Sequence, residues 1–346
     1  MAQYASTQPS NYENHIQNIA IVGAGGRAGK YIVSAIQSNG RSQTITALTR
    51  KDSSNTFADG VKTAYIDYSD PATIVSALRG QDVLIITMNV MAAPDASKKL
   101  IEAAAEAGVK WILPNEWGAD DSNEEAGKDV MIGAAKKADR EFIESLGVSW
   151  IGIACGFWYE FSLGGGQERY GFDFTNKSVL FYDDGEAKID TSTWAACGEA
   201  VGKLLALPIL PEDEEDCKPT ISGWTNDFVR VGSFDINQKD MFASVLRVTG
   251  DKESDWTIRY QPVVERFEQG RAELQKGDRM GFAQLLYARA FYPDGAGKHA
   301  GLDNEKLGLK HEKIDEATKF GIHLHESDHF EAERTAYSAG RAEKKD

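Results

Sequence analysis

Between Asn18 and Ile36 the chain reads NIAIVGAGGRAGKYIVSAI: a short apolar run, a turn built from glycine and alanine, then an amphipathic stretch of helical period. The G-x-x-G-x-x-G spacing of Gly23, Gly26 and Gly29 restricts the fold more than any other feature. Glycine permits a tight turn and lets backbone N–H groups approach an anion with no Cβ in the way. The helix that follows offers unpaired N–H groups and a partial positive charge at its first turn. Strand, glycine turn and helix in this order are the context that cradles a dinucleotide pyrophosphate. Gly23, Gly25, Gly26, Arg27 and Gly29 are therefore the first cofactor-binding candidates.

The rest of the chain supports that setting. Candidate strands at Asn18–Gly23, Thr44–Thr49, Thr63–Asp67, Asp82–Thr87, Val109–Leu113 and Val148–Ala154 alternate with candidate helices at Gly26–Ser38, Pro71–Leu78, Asp95–Ala107 and Asp129–Leu146. Nearly continuous apolar strands such as IAIVG and DVLIITM are what a sheet buried on both faces requires. The expectation is an α/β fold: a Rossmann doubly wound parallel sheet with a smaller, mostly helical substrate lobe. Residues 1–17 lack apolar periodicity and read as a flexible leader, and 18–157 as the dinucleotide-binding domain. Segments 178–208 and 227–250 read as returns to that domain. Residues 158–177 and 251–326 form the substrate lobe, and 327–346 a charged tail.

Composition excludes several classes. Across 346 residues the net charge is −15, which disfavours a broad nucleic-acid-binding face. No apolar run approaches the roughly 20 residues needed to span a bilayer, and the polar start, MAQYASTQPSNYENH, is neither a secretory signal nor an anchor. Cys155, Cys197 and Cys217 are odd in number and unpaired in pattern, which fits a reduced, cytoplasmic protein. A small-molecule partner is expected, with no nucleic acid and no membrane; a homodimer is left open.

The end of the second strand selects the cofactor. NAD sites usually carry an acid about 20 residues beyond the glycine turn, but here Leu48 and Thr49 are followed by Arg50 and Lys51. Arg50 can lie against adenine and pair with a 2′-phosphate while Lys51 adds a second cation, which favours NADP(H). Two surface bases at a strand end are the plainer alternative, and Asp52 keeps NAD open. Asp67 and Tyr68 after the third strand, and Met88 and Asn89 after the fourth, border the expected cofactor path or are ordinary loop residues.

No Tyr-x-x-x-Lys pair, G-x-S-x-G elbow or H-E-x-x-H zinc motif occurs, and His323, His325 and His329 read as part of a solvated terminus, so no metal is expected. Trp117, Phe157, Trp158, Tyr159 and Phe161 fall at or beyond strand ends, where a flat apolar substrate could stack or where the rings could form the hinge between lobes. The helix KKADREFIESLGVSW carries Ala135, Ala138, Phe142 and Leu146 as an expected buried stripe, with Lys136 at its margin. By itself Lys136 reads as a solvated helix lysine.

The glycine loop, the PNEWG segment at Pro114–Gly118 and this helix together resemble the NmrA-like, isoflavone reductase-like branch of the atypical short-chain dehydrogenases. That family combines G-x-x-G-x-x-G, a P-S-E-F-G-like strand end and a helix of form K-x-x-I-R-x-x-I-E-x-x-G-I. Arg140, Ile143 and Glu144 match that helix, and Lys136 falls on the family's catalytic lysine. The late stretch DNEKLGLKHEKIDEATK is similar to fungal members, so the resemblance runs over about residues 18–325 and is strongest before 157. It implies an NADP-dependent oxidoreductase acting on a carbonyl, imine or activated double bond of an aromatic or polyketide-like metabolite. Lys136 would relay the proton, and Asn115 and Glu116 would join the cofactor-binding set. Asn115, Trp117 and Asp139 depart from the usual residues, as does FWYEFSLGGG, so plant isoflavonoid substrates are not implied. A dinucleotide-binding redox sensor without turnover and a non-redox dehydratase or rearrangement enzyme are the rival readings.

Overall fold

The computed structural model describes residues 3–89, 92–93, 95–120 and 123–330. Its main sheet comprises β1 (Asn18–Val22), β2 (Thr44–Thr49), β3 (Lys62–Tyr65), β4 (Val83–Ile86), β5 (Trp111–Leu113), the short β6 (Trp117–Gly118), β7 (Ser149–Ala154) and, late in the chain, β12 (Asp227–Arg230). The intervening strands β8 (Phe157–Trp158), β9 (Phe172–Asp173), β10 (Ser178–Tyr182) and β11 (Ile189–Ser192), with β13 (Phe234–Ile236) and β14 (Thr257–Gln261), build two small sheets elsewhere. The main order is β12-β7-β5-β4-β1-β2-β3, with β6 added beside β7, and every pairing in it is parallel. Strand order reverses between β1 and β4, so the turn after β1 opens at the switch point where open α/β sheets bind ligands.

Alternation within the strands feeds two cores. Ile19 and Ile21 of β1 face α1 (Arg27–Gln37) and α7 (Trp194–Ala206). Ala20 and Val22 face α2 (Pro71–Leu78), α3 (Ala96–Ala107) and α5 (Gly133–Ser145). α7 crosses α1 closely because Gly198 and Gly202 have no side chain; a Cβ there would meet the backbone at Tyr31 and Ala35. The second lobe holds α6 (Tyr159–Gly164), α8 (Gln238–Thr249), α9 (Val263–Gln275), α10 (Met280–Ala290) and, after the short α11 (Asn304–Leu307), α12 (Ile314–Glu326), packed around Phe172, Phe242, Trp256 and Phe267.

Several expectations shift. The return expected at Val179–Tyr182 does not join the main sheet: β10 pairs with β9 and β14, and Val179 and Phe181 pack into the second lobe. α8 belongs to that core too, through Met241, Phe242 and Val245, whereas α7 and β12 do rejoin the first unit. The lobe is less uniformly helical than its sequence pattern suggests, because β14, TIRYQ, is a half-exposed edge strand with little apolar content.

The helix expected at Asp129–Leu146 is broken. α4 (Glu124–Asp129) ends where Met131 adopts φ 61° and the Asp129 carboxylate meets Arg289 of α10 at 2.6 Å. The expected leader is docked, with Ala5 and Ser6 bonding the carbonyls of Pro211 and Glu212 and Ile16 buried. A few backbone bonds and one buried side chain need no periodicity. The beginning of the expected tail is packed as well. Phe330 is buried, and His325 meets Thr175 and the Gly164 carbonyl, so these residues and His329, against Trp194, are not a solvated terminus. Residues 331–346 lie outside the described residues.

One glycine separates packing from binding. A Cβ on Gly29 would run into the carbonyl of Gly23, while one on Gly26 would sit 3.0 Å from the same oxygen. Gly29→Ala is expected to destabilise the fold by about 1–3 kcal/mol, the usual cost of overpacking, and Gly26→Ala by clearly less. Urea unfolding of both variants measures the difference; equal midpoints would remove the packing role assigned to Gly29.

Candidate active site

The turn after β1 is shaped by contacts that only glycine allows. Gly23 has φ +83° and presses against the Thr87 carbonyl and hydroxyl at the end of β4. Gly26 N–H donates to the Gly23 carbonyl at 2.8 Å. Gly26 is also the N-cap of α1 and offers no side chain to its first-turn N–H groups, which leaves them available for an anion. Asn55 and Thr56 fold back over Gly25, with the Asn55 Cβ 3.1 Å and the Thr56 carbonyl 3.4 Å from where its Cβ would stand.

Arg50 and Lys51 are exposed beyond β2, and Arg50 Nε lies 3.5 Å from Asp52. Tyr68 is half-buried; burial pushes its phenol upward against the opposing charge of Arg50, and its hydroxyl contacts the Met88 sulfur at 3.9 Å. Arg50, Tyr68 and Met88 thus form one edge. Asp67 instead shapes the turn into α2: its carboxylate accepts from the Ser69 hydroxyl at 2.6 Å and backbone at 2.8 Å, and these bonds hold it below the usual range. Asn89 is exposed at the end of the segment after β4.

Two residues expected to hold cofactor have other tasks. The Asn115 amide bonds both the N–H and the carbonyl of Met88, at 3.1 and 3.2 Å, bracing β4 against β5. Glu116 is 3% exposed, and both its oxygens accept from Arg140 Nη1 at 2.7 Å. Arg140 in turn lies over the rings of Trp150 and Phe228, at 5.2 Å from each. Trp117 donates its indole N–H to the Ile86 carbonyl at 2.9 Å, a bond that phenylalanine could not make.

The pair between Glu116 and Arg140 orients α5. Of the expected stripe only Phe142 packs, half-buried, on the core: Ala135 and Ala138 are exposed and Leu146 is 39% exposed. The inward face runs through Lys136, Asp139, Arg140 and Ile143, with Asp139 bonded to Ser97 of α3 at 2.7 Å. Lys136 lies one turn before Arg140, and its Nζ stands 3.8 Å from the Cβ position of Gly118, at the C-terminal edge of the sheet. Glu116, expected beside the cofactor, is instead paired with Arg140 on the face of α5 that also carries Lys136 inward.

The aromatic set divides. Phe157 stacks on Tyr287, with centroids 3.9 Å apart, and Trp158 packs against Trp194 at 6.0 Å. Both stay half-buried, like Trp117, next to the strand ends. Tyr159 is fully buried with its hydroxyl on Thr318, a core residue rather than a substrate wall. Phe161 carries two arginines over its ring, Arg27 and Arg169. Cys155 is buried beside Cys197.

This arrangement defines a dinucleotide-type α/β fold, with a glycine turn on one side of the sheet's C-terminal edge and a lysine on the other. Residues 15–164 match the NmrA-like family. The chain is 27% identical over 275 residues to the oxidoreductase aprR of Aspergillus flavus, covering 78% of this chain and 85% of that one. It is 30% identical over 147 residues to phenylcoumaran benzylic ether reductase TP7 of Nicotiana tabacum, covering 40% and 47%. Among solved structures, AtPrR2 with NADP+ and (+)pinoresinol superposes with TM-score 0.68 at 20% identity, covering 90% of this chain and all of that one. An isoflavone reductase superposes at 0.65 with 22% identity, covering 89% and 99%. The NmrA-like match thus covers most of the first unit, and over most of its length the chain is similar to a fungal oxidoreductase.

One further acid stands near the aromatic wall, and the sequence shows it only as a charge inside FWYEF. Glu160 is 3% exposed; Oε1 accepts the Trp194 N–H at 2.8 Å and Oε2 has no partner. Burial pushes its carboxyl up to about 7 from an ordinary 4.5; the Trp194 N–H opposes the rise and Glu312 adds to it. The folded chain therefore holds this proton more tightly than the unfolded chain, and Glu160's contribution to stability falls as pH rises from 4.5 through 7. Glu160→Gln is expected to leave stability unchanged near pH 4 and to raise it by about 2–3 kcal/mol at pH 8. Urea titrations across that range test it, and parallel curves for parent and variant would contradict the assignment.

Proposed function

We propose that the chain is an NADP(H)-dependent reductase that delivers hydride to a carbonyl, imine or activated double bond of an aromatic or polyketide-like small metabolite in the cytoplasm. The position of Lys136 carries this reading: an amine on the inward face of α5, against Gly118, at the edge toward which the glycine turn also opens. The uncapped first turn of α1 and the space kept free at Gly26 suit a pyrophosphate, and Arg50 with Lys51 suits a 2′-phosphate. Bound there, the cofactor supplies the hydride chemistry, and the protein supplies position and field. Tyr68 and Met88 offer an apolar border on the adenine side. Trp117, Phe157 and Trp158 present flat surface to the substrate and restrict water. Lys136 gives a proton from Nζ to the heteroatom or carbon that gains charge and recovers one from solvent. The Glu116–Arg140 pair keeps Nζ in place through the preceding helical turn.

Two measurements test this. NADPH is expected to bind at least about tenfold tighter than NADH, the worth of one charge-assisted contact, and Arg50→Ala to narrow that gap by weakening NADPH. Calorimetric titration showing equal affinities in the parent would remove Arg50 from the site. In single-turnover NADPH oxidation with a panel of aromatic ketones and quinones, Lys136→Ala is expected to lose about 10²–10⁴ in rate with little change in NADPH affinity. Lys136→Arg should not recover it, because a guanidinium keeps its proton near neutral pH. Parent-like rates in Lys136→Ala would refute the relay.

A further inference from the structure

Lys136 sits in the first turn of α5, and that helix is held from both lobes. Arg140, one turn later, is paired with Glu116 of the first unit. On the other side, only Val130, Met131 and Ile132 separate α5 from α4. Val130 is buried in the core of the second lobe and Ile132 packs against it, while Met131 between them is 62% exposed with φ 61°. A non-glycine residue persists in that conformation where its surroundings over-determine it. α10 supplies the anchor. The buried Arg289 side chain donates from Nε to Asp129, at the end of α4, at 2.6 Å and from Nη1 to Asp294 at 3.1 Å. Asp294 bonds in turn to the side chain of Asn123, the N-cap of α4. One guanidinium therefore fastens both ends of α4 to the second lobe.

A planar guanidinium that bridges two carboxylates resists sliding, because each bond has one good geometry and a buried charge that loses its partner is left poorly solvated. α4 can then shift little against α10. The constraint passes directly to α5. A Cβ on Gly133, its first residue, would stand 3.0 Å from the Gly127 Cα, and the Lys136 N–H donates to the Ile132 carbonyl at 3.2 Å. Glu116 fixes the roll of α5 from the first unit, and Arg289 fixes where its first turn begins. We infer that Arg289 is a positioning residue for Lys136: through Asp129 and α4 it ties the amine to the second lobe, so that the proton donor keeps its place relative to the lobe that would hold the substrate. This rests on the reading of Lys136 as the proton relay.

The test compares the full chain with Asp129→Ala, Arg289→Ala, the double variant Asp129→Ala/Arg289→Ala and a control, Asp315→Ala. The control breaks a pair of the same length, with Arg247 at 2.6 Å, that lies inside the second lobe and does not touch α4. NADPH oxidation is followed with menadione and with acetophenone as acceptors, and amide exchange over residues 133–140 and melting temperatures are measured alongside. Asp129→Ala should lower kcat by about ten- to hundredfold, the cost of a small misplacement of a catalytic group, with KM for NADPH unchanged. The double variant should be no slower than Arg289→Ala, because the two act through one contact. Exchange over 133–140 should quicken by at least about tenfold in Asp129→Ala, as a local opening would, and stay at the parent's rate in Asp315→Ala. Where Arg289→Ala fails to fold, Asp129→Ala carries the test alone, since there the guanidinium keeps Asp294. Parent-like kcat and exchange in Asp129→Ala, or an equal loss of kcat in Asp315→Ala, overturn the positioning role and leave the relay standing. A parent that reduces neither acceptor counts against the relay, while the exchange comparison still decides whether Arg289 holds α5.

Discussion

The approach of α1 to the turn behind β1 sets the geometry on which the rest depends. Gly29 brings the helix so close that its first turn opens at the gap between β1 and β4 rather than over the sheet face. Gly23, in a left-handed conformation against Thr87, keeps the end of β4 level with that turn. Met88 and Asn115 continue the brace to β5, and Glu116 passes it to Arg140 and α5. A chain of short contacts runs from the glycine turn to the helix that carries Lys136, along the C-terminal edge.

The choice of a buried ion pair at the far end of that chain has a physical reason. A buried carboxylate and guanidinium repay their desolvation only in good geometry, and removing one partner strands the other. The pair therefore tolerates little rotation of α5. The roll it fixes is the one that sets Lys136 Nζ beside Gly118. Asp139, bonded to Ser97, adds a second polar constraint on the same face.

Much of the first unit was legible because buried parallel strands write themselves as apolar runs and the glycine spacing marks the first crossover. The inward face of α5 was not. Its inward positions are Lys136 and Asp139, half-buried, and Arg140 and Ile143, buried, mostly charged residues whose placement depends on partners remote in sequence, so an apolar stripe pointed the wrong way. The same holds for Asn115 and Glu116, whose residue types suit a cofactor but whose hydrogen bonds are taken by Met88 and Arg140. Tyr159 and Phe161 sat where ligands bind in such folds, but whether a ring faces a cleft, a core or a cation is decided by tertiary contacts. β14 escaped notice because an edge strand with one wet face carries little hydrophobic signal.

The crossing of α7 over α1 has a consequence for how this chain can be divided. Residues that match the family end at 164, yet the helix that covers the outer side of α1 and the strand that closes the sheet edge come from Trp194–Ala206 and Asp227–Arg230, after the polypeptide has visited the second lobe. A fragment cut at that boundary would bare the Tyr31–Ala35 seam of α1 and leave β7 without its β12 neighbour. The stretch most readable by similarity is thus not a unit of folding. Circular permutation of such a chain would have to keep the two lobes interlaced, since each is completed only after the polypeptide has passed through the other.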